Sequence, residues 1–206
     1  MNSKTSKFNR DLLLESKLSK FLDTIYSELK IPLKRVTNLS EQRAGVDLHF
    51  SASNKHDEYI DEKAQLHYVN KKLPTFALEI SYEKDGIKHK GWLFDKSKKT
   101  TCYAFVFNIQ ANQSSDADLE KLIFSGADIV FVKRGRLITE LSKLNLDESA
   151  CIMHESRMND EGMKRMDFGK FASMQISESY KERPCNLVVR RTFLEAISFR
   201  KIIKSK

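Results

Sequence analysis

The residues best placed to do chemistry in this sequence are Asp47, Asp61 and Lys63. Asp47 closes a glycine-led approach, Gly45-Val46-Asp47, and Asp61-Glu62-Lys63 follows a short interval later. In an extended strand alternate side chains point to opposite faces, so Asp61 and Lys63 share one face and Glu62 takes the other. If the two segments pair as a hairpin, Asp47 stands next to Asp61 on that face. Two carboxylates and a lysine at one spot are costly unless a cation lies between the acids. Mg²⁺ (or Mn²⁺) suits such a pair, since a hard divalent ion binds through one or two carboxylates and keeps several waters. The lysine can then orient or help to deprotonate a water, or offset charge that builds on a pentavalent phosphorus. Those are the parts needed to hydrolyse a phosphodiester.

The elements that must hold these residues can be read from periodicity. Val46, Leu48 and Phe50 alternate with Asp47 and His49, which predicts a strand over 45–50. The polar stretch 51–58 predicts a turn, and a second strand follows over 59–69. Its active side would carry Asp61, Lys63, Gln65 and His67. Ahead of both, Leu14, Leu18, Phe21, Leu22, Ile25, Tyr26 and Leu29 recur at steps of three and four, predicting a helix over 11–29 that stops before Pro32. Glu15 lies on the flank of that apolar stripe, facing inward or toward a cleft edge. Further strands are predicted over 76–82, 101–109 and 128–132, and helices over 119–124 and 137–144, with Asp116 or Asp118 as cap of the first. Tyr103, Phe105 and Phe107 read as core. No convincing period marks 147–179; beyond it, 186–190 reads as a strand and 193–203 as an amphipathic helix. This order predicts an α/β protein with a mixed sheet flanked by helices, a core over 1–146 and a basic extension over 147–206.

Asp47, then Asp61-x-Lys63, behind a helix bearing Glu15, resembles the PD-(D/E)XK nuclease superfamily. The resemblance covers about 11–132, roughly two thirds of the chain. It implies a restriction-endonuclease-like core, a three-layer α/β/α arrangement around a central mixed sheet. By resemblance Asp47 is the first metal-binding acid, Asp61 the second, and Lys63 the catalytic lysine. Gln65 would touch substrate or steady the site, and Glu15 matches the helix acid that some branches add to the metal. Val46 stands where the motif's proline would be, and the second acid is Asp rather than Glu. Taking Glu62 as the acid would leave the lysine adjacent and on the wrong face. The resemblance implies a Mg²⁺-dependent endonuclease cutting DNA, of restriction, repair, recombination or mobile-element type, working as a homodimer where both strands are cut. The alternative is an inactive nucleic-acid-binding protein on the same scaffold, which would have no reason to keep both acids and the lysine.

Charge and composition point the same way. The chain has 206 residues, 40% apolar and 31% charged, with seven Gly and three Pro, which excludes collagen-like and linker-dominated classes. No apolar run is long enough for a membrane-spanning helix. Cys102, Cys151 and Cys185 form no CxxC pair, and the opening residues carry no apolar stretch, so the expected place is the cytoplasm. Of the net charge of +8, residues 163–206 hold eleven Lys and Arg against four Asp and Glu. A basic end on a near-neutral body predicts a polyanion partner, and the nuclease resemblance puts DNA ahead of RNA. Arg43, Lys98, Arg134, Arg190 and Arg191 are the candidate phosphate contacts, and Glu79 a candidate further acid. An unrelated RNA-binding protein would instead expose aromatics on a sheet for base stacking.

Overall fold

The structure is a computed structural model. It describes residues 3–51, 57–114, 118–178 and 182–205, with side chains in the first helix described from Arg10 on. In chain order the elements are α1 (Ser3–Glu28), β1 (Leu33–Arg35), α2 (Leu39–Arg43), β2 (Leu48–Phe50), β3 (Glu58–Ala64), β4 (Thr75–Lys84), β5 (Ile87–Lys90), β6 (Cys102–Ala111) and β7 (Phe124–Lys133). Then come α3 (Arg134–Lys143), α4 (Glu148–Asp160), β8 (Arg165–Phe168), β9 (Ala172–Ile176), β10 (Cys185–Arg190), α5 (Arg191–Ile197) and β11 (Arg200–Ile203). Together they make a mixed α/β protein with two sheets. Among the described residues, no helix is long and apolar enough to cross a membrane.

The chain divides into two compact units and crosses between them four times. Unit 1 is 1–73, 100–131 and 200–206; unit 2 is 74–99 and 132–199. Position 146, the expected core boundary, therefore falls inside unit 2, and the last residues return to unit 1.

Unit 1 is built on a six-stranded sheet in the order β1-β2-β3-β6-β7-β11. The first three strands form antiparallel pairs, and β3 runs parallel to β6. A parallel neighbour needs a crossover, and here that crossover leaves unit 1 altogether, through β4 and β5. Helix α1 covers one face, burying Leu14, Leu18, Leu22 and Ile25 against Leu48, Ile60, Ala104, Val106 and Ile129. Its end is a Schellman turn: Ile31 N–H donates to the Tyr26 carbonyl at 2.9 Å and Lys30 N–H to that of Ser27 at 3.0 Å, with Lys30 at φ 52°. Satisfying those carbonyls stops the helix before Pro32 and turns the chain into β1. Tyr103, Phe105 and Phe107 are buried on the opposite side of β6, so they are not stacking platforms for RNA bases.

Unit 2 holds an antiparallel sheet, β5-β4-β10-β9-β8. Phe76, Leu78, Ile80, Met174, Leu187 and Val189 are buried, as are Leu137 and Leu141 of α3 and Leu194 of α5. Gly91 is required here: a Cβ would stand 2.4 Å from the Glu79 carbonyl oxygen.

Several sequence expectations are corrected. The strand carrying Asp61 stops at Ala64, and 66–68 is a 3₁₀ turn. The helix expected over 119–124 is a single 3₁₀ turn over 119–121, after which Phe124 opens the ten-residue β7. Asp118 caps that turn through Glu120 N–H, whereas Asp116 lies outside the described residues; so does most of the turn expected over 51–58. The stretch 147–179 contains α4, β8 and β9. The closing helix ends at Ile197, and 200–203 is a strand paired with β7.

Candidate active site

Asp47 is placed by its backbone as much as by its strand. Asn38 accepts hydrogen bonds from Ser40 and Glu41 N–H and so caps α2. Gly45 then takes φ 79°, a left-handed conformation that reverses the chain after α2 at no steric cost to glycine. The Thr100 hydroxyl donates to the Gly45 carbonyl at 2.7 Å and holds that turn. Asp47 N–H donates to the Ile60 carbonyl and its own carbonyl accepts from Val36 N–H, both at 2.8 Å. The carboxylate is left pointing at β3, where Oδ2 accepts from Glu62 N–H at 2.8 Å.

On β3 the alternation works as expected. Lys63 Nζ stands 2.8 Å from Asp61 Oδ1, the two side chains being 26% and 6% exposed. Burial raises the Asp61 pKa to about 6; Lys63 opposes the shift, and the Asp47 carboxylate, within hydrogen-bonding reach, adds to it. Two acids share one lysine, so the cluster is short of positive charge.

Glu62 has a different task. Tyr26 Oη donates to its Oε1 at 2.7 Å, and Arg35 pairs with its Oε2 while holding Asp23 at 2.6 Å. This network lies on the α1 side of β3, with Arg35 and Asp23 reaching the surface, and pins the strand to α1 and β1, which leaves Asp61 and Lys63 on the other face. Arg35 carried no signal in sequence, because its partners stand at distant positions that only the fold unites.

Glu15, Asp47 and Glu62 line a cleft of about 790 Å³ between α1 and the first strands, with Arg35 and Lys20 also on its wall. Partial burial, then Asp11 and Asp47, raise the Glu15 pKa, while Lys63 lowers it. Glu15 thus shares the field of the Asp47 and Lys63 pair from the cleft edge. Among the described residues no three His, Cys, Asp or Glu side chains converge into a metal cage. The site is a two-carboxylate set. All-oxygen donors, few in number and burdened with excess negative charge, fit an ion that keeps most of its waters, as Mg²⁺ does.

The remaining expected residues are spread out. Gln65 is the residue between β3 and the 3₁₀ turn, with φ −94° and ψ 64°, and no longer extends the strand face. His67 is exposed in that turn, while His49 packs edge-on against Tyr59. Arg43 is exposed at the end of α2. Glu79, Lys98, Arg134, Arg190 and Arg191 belong to unit 2. There Arg134 donates to the carbonyls of Asp95, Lys98 and Leu93 at 2.6, 3.2 and 3.4 Å, tying a loop together. Arg191 pairs with Glu195 at 2.6 Å.

Comparison of the chain with protein-family models, curated proteins and solved structures finds no match. The site is therefore read from its own geometry.

Proposed function

We propose that the chain is a Mg²⁺-dependent nuclease of the PD-(D/E)XK type, hydrolysing DNA phosphodiester bonds at Asp47, Asp61 and Lys63. The observation that carries this reading is the meeting of two carboxylates with one lysine, Asp61 raised to about 6 beside Asp47. A helix-backed mixed sheet with one acid on β3 and the other just ahead of its antiparallel neighbour β2, beside a parallel strand, is consistent with a restriction-endonuclease-like core.

Asp47 and Asp61 would hold the ion, which when bound polarises a phosphoryl oxygen and acidifies a water. The hydrogen bond from Glu62 N–H fixes the Asp47 carboxylate, and the Arg35–Glu62–Tyr26 network fixes the strand beneath. Lys63, held by Asp61, supplies a positive charge where negative charge grows on the phosphate, and a donor that orients the nucleophile. Glu15 sits where it can attract or orient a water at the cleft edge.

The test is cleavage of supercoiled and linear DNA with Mg²⁺ or Mn²⁺, wild type against Asp61→Asn and Lys63→Met. Metal-dependent nicking lost in both variants is expected. Nicking that persists in both would sink the reading.

A further inference from the structure

Unit 2 carries a second surface with chemistry of its own. A shallow groove of about 200 Å³ runs over β8, β9, β10 and the start of β4. Its charged lining is three cations, Arg165, Lys170 and Arg190, against one carboxylate, Asp167. Arg165 already neutralises Asp167, through hydrogen bonds of 2.9 and 2.7 Å. The groove therefore presents net positive charge to whatever enters it.

At one end, the turn between β8 and β9 presents Phe171, 52% exposed. A large aromatic at the surface is unremarkable alone; the way this one is held is informative. Gly169 takes φ 61° and lets the turn close. Arg190 donates twice to the turn, from its backbone N–H to the Phe171 carbonyl at 2.9 Å and from Nε to the Lys170 carbonyl at 2.6 Å. The backbone that carries the exposed ring is thus anchored to β10. Strand register also sets Arg165, Gln175 and Asn186 in one row across β8, β9 and β10, three side chains able to hydrogen-bond base edges or phosphates.

The geometry points to this groove as a docking surface for a nucleic-acid strand with unpaired bases, Lys170 and Arg190 meeting phosphates and Phe171 stacking on a base. A cationic track with an aromatic platform is what single strands require, because every base has a π-face and every link a charge. An acidic peptide would satisfy the cations and leave the ring unused. The inference does not depend on unit 1 cutting anything; it stands or falls on binding.

The experiment is fluorescence anisotropy with the full chain in EDTA, using a labelled oligothymidylate of about 20 nucleotides and a duplex of similar length. Phe171→Ala should weaken strand binding about 5- to 100-fold, the range of one lost stacking contact, and Phe171→Trp should restore it. Duplex affinity should change little. Lys170→Ala should lower the slope of log affinity against log salt by about 0.7. Both positions are exposed, and an unchanged melting temperature confirms that the variants fold. Strand binding indifferent to Phe171, no strand binding by wild type, or equal displacement by poly-glutamate and by unlabelled strand would each overturn the inference. Metal-dependent cleavage is read separately, so either conclusion can fail while the other survives.

Discussion

Each unit holds one nearly buried carboxylate against a lysine at the same distance. Asp61 meets Lys63 in unit 1 and Glu155 meets Lys88 in unit 2, both at 2.8 Å. The surroundings make them different objects. Asp61 has a second carboxylate, Asp47, at its side, and one lysine cannot neutralise both. Glu155 receives the Ser81 hydroxyl at 2.6 Å and has a cation of its own. Near it, Cys151 and Cys185 are buried thiols, pushed up to about 12 by burial, with Glu155 adding to the shift. A buried acid–lysine pair is by itself a structural motif. The unbalanced second acid turns the pair in unit 1 into a candidate for chemistry.

The largest effects should come from breaking that asymmetry in unit 1. Asp61→Asn should reduce metal-dependent cleavage by at least about 100-fold, without lowering the melting temperature of the metal-free protein. The reason is that the change removes a desolvated charge beside another acid. A marked loss of stability would instead place Asp61 with Glu155 as a structural pair. The mirror experiment is Glu155→Ala, which should cost about 1–3 kcal/mol of stability in urea unfolding, by leaving Ser81 without its acceptor. Cleavage should stay within about twofold of wild type, well under the tenfold that about 1.4 kcal/mol of barrier makes.

Glu15→Gln should have a smaller effect, lowering cleavage up to about tenfold, because Glu15 acts from the cleft edge. A loss as large as that of Asp61→Asn would make Glu15 a full ligand. The smallest effect belongs to the thiols. Burial pushes the Cys151 and Cys185 thiols up to about 12 in the fold, against an ordinary 9.0. Their contribution to stability is therefore intact below pH 9 and is lost as pH climbs toward 12, because the unfolded chain gives up its protons first. Native protein at pH 8 should react with a thiol reagent only as fast as it unfolds; rapid labelling would show that these cysteines are accessible.

The residues of the site were legible because their placement is local. Gly45-Val46-Asp47 leads directly into β2 and Asp61-Glu62-Lys63 lies on β3, its antiparallel neighbour, and period-two alternation alone separates Glu62 from its neighbours. The stripe Leu14, Leu18, Leu22, Ile25 likewise announces α1, because a helix buries one face at its own period whatever it packs on. Gln65 could not be read the same way: where a strand ends depends on where its partners stop pairing.

Long-range pairing decided the rest. The 193–203 segment has an apolar pattern that a helix could bury, yet 200–203 pairs with β7, some seventy residues earlier, and becomes strand. The pattern over 119–124 predicts a helix, and Phe124 instead opens β7, an interior strand of the sheet in unit 1. The division into interleaved units has the same origin, since a parallel β3–β6 pair permits any crossover long enough to return, even one that supplies two strands of a second unit. Side-chain type and period determined which residues could do chemistry and which face of each strand they occupy. Only the tertiary structure decided that Tyr26 and Arg35, the latter held by Asp23, would grip the Glu62 side chain on the face opposite Asp61. Those contacts join residues up to 36 positions apart, and no local pattern encodes which distant groups a fold will bring within 3 Å.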